Sequence, residues 1–156
     1  MKRILMAATI AALLIPMTNA EAKPHLGRWR GPCATFAEGE NLTPAMYEAN
    51  RAKGERQITH LITCVFRRFA PGNEATAVAV ARRESGLWPW SINSSSGCAG
   101  LFQHITWTDR ISMVPRWMFA PGYHPTAFDP RANALVAAFM VAGVGDWPGG
   151  WGPWGG

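Results

Sequence analysis

A chain of 156 residues, 48% of them hydrophobic, with 15 Lys and Arg against 10 Asp and Glu, is long enough for one compact domain with its own core. The net charge of +5 suits encounter with an anionic polymer or plain solubility, and the absence of any Lys/Arg run or aromatic-basic stripe argues against a nucleic-acid surface. In chain order, residues 1–22 open with Lys2 and Arg3, continue through an apolar run over 4–16, and end in small residues at Ala20 and Ala22. That pattern predicts a signal peptide, with Ala20-Glu21-Ala22 as an A-x-A cleavage site. The run falls short of the roughly 20 residues that a membrane span needs. The later apolar run around Leu135 is broken by Gly143 and Gly145, so the mature protein is expected to be exported and to carry no span.

Residues 23–55 read as an N-terminal arm, punctuated by Gly27, Gly31, Pro32 and Gly39. Within it Thr43-Pro44 has the form of an N-cap followed by Pro at the first helical position, and the short helix it starts is expected to stop at Gly54. The domain proper is expected over 56–156. Ile58, Leu61, Ile62, Val65, Phe66 and Phe69 recur at helical spacing and predict an amphipathic helix whose stripe is core. Pro71-Gly72 ends it, and Asn73 is a candidate N-cap for the next helix, placed beside the first by the short connection.

That next helix carries Ala75, Ala77, Val78, Ala79, Val80 and Ala81 and reads as apolar almost all round, hence buried. Glu84 falls in its last turn, on the face of Ala77, Val80 and Ala81, just before Gly86 as the residue after the cap. Desolvation and the negative end of the helix dipole would both favour the neutral acid there, and a carboxyl held neutral can donate a proton. Pairing of Glu84 with Arg82 or Arg83 at a solvated helix end is the alternative, and it would hold the group ionised. Residues 87–103 are turn-rich, with a short hairpin expected. Thr106 is a candidate cap for a short helix through Trp107 and Ile111. Asp129-Pro130 predicts the start of a further helix, with Ala132, Leu135, Val136, Phe139 and Met140 on one face.

Three cysteines, Cys33, Cys64 and Cys98, in an exported chain suggest one disulfide and one remaining thiol. Cys64 lies off the centre of its helix's apolar stripe and Cys98 in a glycine-flanked loop, so Cys64–Cys98 is the expected pair, with the two other pairings as alternatives. No cysteine or histidine spacing matches a zinc site, and no metal or cofactor is expected.

Glu84-Ser85-Gly86, then a loop containing Asn93 and Gly97, then Gly100-Leu101-Phe102-Gln103, together resemble the signature of the lytic transglycosylase and goose-type lysozyme superfamily, over roughly residues 57–154. The resemblance implies a mainly α, lysozyme-like (α+β) fold: a helical bundle around a buried helix ending in Glu84, with a small β-hairpin region. It implies Glu84 as catalytic acid, with Ser85, Asn93, Gln103 and Asn133 near the glycan. Trp147 joins them as a flat aromatic face suited to a pyranose ring. For Ser85 the plain alternative is a hydroxyl bonded back to its own helix; for Gln103, a loop amide; for Asn133, a satisfied core amide. Trp107 and Trp117 read as core packing, and Trp151 and Trp154 as either closing the domain or a loose tail.

Hydrolysis of a glycoside ordinarily uses a second carboxylate, and Asp109 and Asp146 are the candidates. A transglycosylase needs only one. The expected activity is therefore lytic cleavage of the MurNAc–GlcNAc bond of peptidoglycan by a secreted monomer, leaving anhydromuramyl ends. A lysozyme-type hydrolase using Asp109 or Asp146, or a silent peptidoglycan-binding module, are the alternatives. The superfamily's Tyr-Asn element near the C-terminus is missing here, and a Gly-Asp-Trp segment stands in its place.

Overall fold

The computed structural model describes Cys33 and residues 42–155. The expected leader over 1–22 and most of the expected arm lie outside the described residues. Five α-helices and two short 3-10 turns make up the regular structure of the described part, so the chain is mainly helical, as its periodicities predict.

Helix α1 (Pro44–Ala49) starts as read: the Thr43 hydroxyl accepts from the Met46 amide at 3.2 Å, and Pro44 occupies the first turn. Asn50 alone separates it from α2 (Arg51–Phe69), whose own cap it provides by accepting from the Lys53 amide at 3.0 Å. Gly54 is thus inside a helix rather than a stop. The reason is a close approach: a Cβ there would sit 2.5 Å from Cδ2 of Tyr47. Tyr47 is itself fully buried, with its hydroxyl donating to the Leu87 carbonyl at 2.9 Å and its ring edge-on to Trp88. The short helix assigned to the arm is therefore part of the core, and the expected boundary at 55/56 falls within α2.

The stripe of α2 behaves as predicted. Ile58, Leu61, Ile62, Val65 and Phe66 are fully buried, each side chain contributing about 2 kcal/mol by its removal from water. This helix packs against both α3 (Glu74–Ser85) and α5 (Pro130–Val141). The central, wholly enclosed helix is α5: every residue from Pro130 to Val141 is buried. Helix α3, expected to hold that place, buries only Ala77, Val80 and Ala81 and leaves Ala75 and Ala79 in water. An alanine-rich helix looks apolar on every face, yet a methyl group loses little by exposure, so composition did not distinguish one buried face from four.

Between α3 and α4 (Trp107–Ile111) the expected hairpin is reduced to two isolated bridges, Ile92 with Ala99 and Ala99 with His104. The 3-10 turn Gly152–Trp154 returns the C-terminal tail to the core, where Trp151 stacks on Phe66 and Trp154 is buried. Trp117 departs from its reading as a core residue, being 64% exposed. No helix among the described residues is long and apolar enough to cross a membrane.

The disulfide joins Cys33 to Cys64, with Cα atoms 6.0 Å apart, and Cys98 is the remaining thiol. This corrects the expected Cys64–Cys98 pair. Cys98 is held in a turn in which its carbonyl accepts from the Asn93 amide at 2.9 Å. The next residue, Ala99, exchanges two backbone bonds with His104. Glycines around Cys98 shape that turn and do not free it to reach α2. A disulfide fits an oxidising, extracytoplasmic compartment.

Candidate active site

Helix α3 ends in the bond pattern of a Schellman stop: the Gly86 amide reaches the Arg82 carbonyl at 3.0 Å and the Leu87 amide reaches Ala81 at 3.4 Å. Gly86 adopts the left-handed conformation this requires, and Leu87 buries completely beneath it. The stop fixes Glu84 one turn beyond Val80 and Ala81, at the rim of the helix's buried face. Its side chain is 27% exposed. Arg83 Nε and Nη2 lie 3.1 and 2.9 Å from Glu84 Oε1, while Oε2 has no partner among the described residues. The carboxyl is therefore at a helix end against a guanidinium, not sealed in apolar side chains, and the alternative reading of its surroundings is the one observed. Because the Arg83 side chain is 58% exposed, the pair is worth at most about 1 kcal/mol to stability.

Arg83 is itself anchored. Its Nη2 also donates to the backbone carbonyl of Trp154, and the indole of Trp154 donates to the Phe102 carbonyl at 2.8 Å. A continuous hydrogen-bond path thus joins Glu84 to the Gly100-Leu101-Phe102-Gln103 loop. That loop is clasped from below by Asn133 of α5. Asn133 Oδ1 accepts from the Phe102 amide at 2.9 Å, and Nδ2 donates to the carbonyls of Ala127 at 2.9 Å and Ala99 at 3.2 Å. Gly100, at φ +80°, passes so close that a Cβ would fall 2.1 Å from both Asn133 Nδ2 and the Ala127 carbonyl. With no exposed surface and both ends of its amide engaged, Asn133 is a satisfied core residue that shapes the loop, which corrects its assignment to the glycan surface.

Gln103 is half-buried and held at φ +49°, a strained value for a residue with a side chain. Its Nε2 donates to the Gly100 carbonyl at 2.9 Å and to Ser91 at 3.3 Å, leaving Oε1 with no donor among the described residues. Oε1 is thus a side-chain acceptor of the loop that the described residues leave unused. Ser85 donates to the Ala81 carbonyl at 2.9 Å, the plain helical back-bond. Asn93 is exposed and accepts from the Ser95 and Ser96 amides at 3.0 and 3.2 Å, which makes it a turn former. Trp147 is half-buried with the Arg110 guanidinium 3.9 Å from its ring centre, so one of its faces is taken by a cation rather than open to a sugar. Asp109 and Asp146 are exposed, and neither is hydrogen-bonded or ion-paired to Glu84.

The structure therefore ties Glu84 through Arg83 and Trp154 to the Phe102 carbonyl, one residue before Gln103, and assigns Ser85, Asn93 and Asn133 to local architecture. Sequence reading missed Trp154 as the connecting residue; the dense Trp and Gly tail was its only signal. A cleft of about 540 Å³ lies elsewhere, lined by Trp107, Ile111, Phe119, Arg116 and His124 among others, and includes none of the expected site residues. No group of three or more His, Cys, Asp or Glu among the described residues is arranged to hold a metal ion. Comparison of the chain with protein-family models, curated proteins and solved structures gives no match.

Proposed function

We propose that the protein is an exported peptidoglycan lytic transglycosylase in which Glu84 is the single acid and base. The observation that carries this reading is that Glu84, with Oε2 unpartnered among the described residues, is tied through Arg83 and Trp154 to the loop of Gln103. The two halves of the Glu-Ser and Gly-Leu-Phe-Gln pattern, distant in sequence, share one hydrogen-bond path. Oε1 is occupied by two N–H donors, so Oε2 is the oxygen left to deliver and take up the proton. Oε2–H protonates the glycosidic oxygen as the C1–O bond breaks, and the carboxylate left behind keeps the Arg83 contact that stabilises it. The same Oε2 then takes the proton of the substrate's C6 hydroxyl, whose oxygen bonds to C1 and closes the anhydro ring. No water and no second carboxylate enter the balance.

Incubation with purified sacculi and mass spectrometry of the released fragments tests this. Anhydromuramyl ends are expected, and Glu84→Gln should abolish release while the protein stays folded and still sediments with peptidoglycan. Reducing ends would indicate a hydrolase instead. A second reading, a glycan-binding module without turnover, is favoured by one specific observation: the Arg83 guanidinium lies on the carboxyl that must deliver the proton. Binding to sacculi with no released fragment by the wild type would select it.

A further inference from the structure

We infer that Trp154 is a positioning residue that fixes Glu84 relative to the loop at Phe102 and Gln103, with Arg83 as its arm; this rests on the glycan-cleaving reading above. Three contacts carry it. The Trp154 indole fixes the Phe102 carbonyl at 2.8 Å, the Trp154 carbonyl receives Arg83 Nη2, and that same nitrogen is 2.9 Å from Glu84 Oε1. One residue thus uses its side chain on one half of the site and its backbone on the other. The ring is locked by contacts with Phe102, His104 and Trp151 at centroid distances of 6.0, 5.8 and 5.5 Å, and only 9% of the residue is exposed.

On the far side, Phe102 is pinned through its amide by Asn133 Oδ1 at 2.9 Å. With its N–H and C=O both held, Phe102 leaves Gln103 little freedom in where it starts. Arg83 is suited to the bridging role because a planar guanidinium can present parallel donors to a carboxylate and a carbonyl at once, which an ammonium on a single point cannot do as rigidly. The C-terminal turn is accordingly part of the site and not a lid over the core.

The indole N–H is a donor only, so Trp154→Phe removes the bond to Phe102 and keeps an aromatic ring. Arg83 is largely exposed, so Arg83→Gln and Arg83→Lys leave the fold intact whatever Trp154→Phe does to stability. Two readouts are taken on the full chain. Without substrate, the NMR signals of the Arg83 Nε–H and the Gln103 side-chain amide should both move in Trp154→Phe. With defined glycan strands, Trp154→Phe and Arg83→Gln should lower kcat roughly ten- to hundred-fold, with KM within about twofold, as expected when a reacting group is misplaced. Arg83→Lys should recover part of that loss.

Unmoved signals, or wild-type kcat in both Trp154→Phe and Arg83→Gln, would overturn the inference. Retained cleavage by Glu84→Gln would instead overturn the proposed function, while the substrate-free NMR coupling would still decide whether Trp154 ties the two halves together.

Discussion

His104 lies among Phe102, Trp107 and Trp154, and its Nε2 donates to the Asn133 carbonyl at 3.0 Å. A carbonyl can only accept, so the neutral ring carries its proton on Nε2. Burial pushes the imidazole down to about 4 from an ordinary 6.5; the Asn133 bond opposes this and the nearby Arg110 charge adds to it. The folded ring stays neutral where the unfolded one takes up a proton. The contribution is therefore whole above pH 6.5 and is lost progressively as pH falls toward 4, amounting to about 3 kcal/mol. Between pH 6.5 and 5, above the range where carboxylates titrate, the unfolding midpoint should fall with acidification, and His104→Gln should flatten that slope. An equal slope in the variant would remove His104 as its cause. His104 was not singled out from sequence, because nothing local marks a lone histidine as enclosed. Glu84, Gly86 and Asp129 were legible, since helix stops and caps are written within a few residues of themselves. The partners of Glu84 were only half legible: Arg83 adjoins it, whereas Trp154 reaches it by the return of the chain.

At the level of elements, the starts of α1 and α5 and the apolar stripe of α2 follow directly from Thr43-Pro44, Asp129-Pro130 and the Ile58–Phe69 spacing. Gly54 did not, because a glycine that stops a helix and one that admits a neighbour look identical in sequence. Here the neighbour is the Tyr47 ring, which is held in place: its hydroxyl is bonded to Leu87 and it packs edge-on to Trp88 with ring centroids 4.9 Å apart. Gly54→Ala gains up to about 1 kcal/mol of helix propensity. It forces a methyl into that ring at a cost of about 1 to 3 kcal/mol. Net destabilisation and a lower denaturant midpoint are expected, and a variant as stable as the wild type would show that α1 can shift on α2. The exchange of roles between α3 and α5 has a related origin. Both are rich in alanine, but only α5 has Leu135, Val136, Phe139 and Met140 to fill the space between its neighbours.

For the molecule as a whole, the Cys33–Cys64 bridge ties the segment before α1 to the flank of α2 across 31 residues. Sequence could supply the number of cysteines, but not which sulfurs meet, since pairing depends on where loops are anchored. The helix enclosed on every side, α5, is also the one that holds the candidate site's loop, through Asn133. Loop amides ordinarily trade their hydrogens with solvent through small local openings, but the Phe102 N–H can be released only when α5 itself leaves the interior. Its deuterium uptake should therefore be as slow as that of the α5 backbone and limited by global unfolding, whereas the exposed turn around Asn93 should exchange quickly. Fast uptake at Phe102 would mean that the loop opens independently of the helix beneath it, and that the site is not built on the most durable part of the protein.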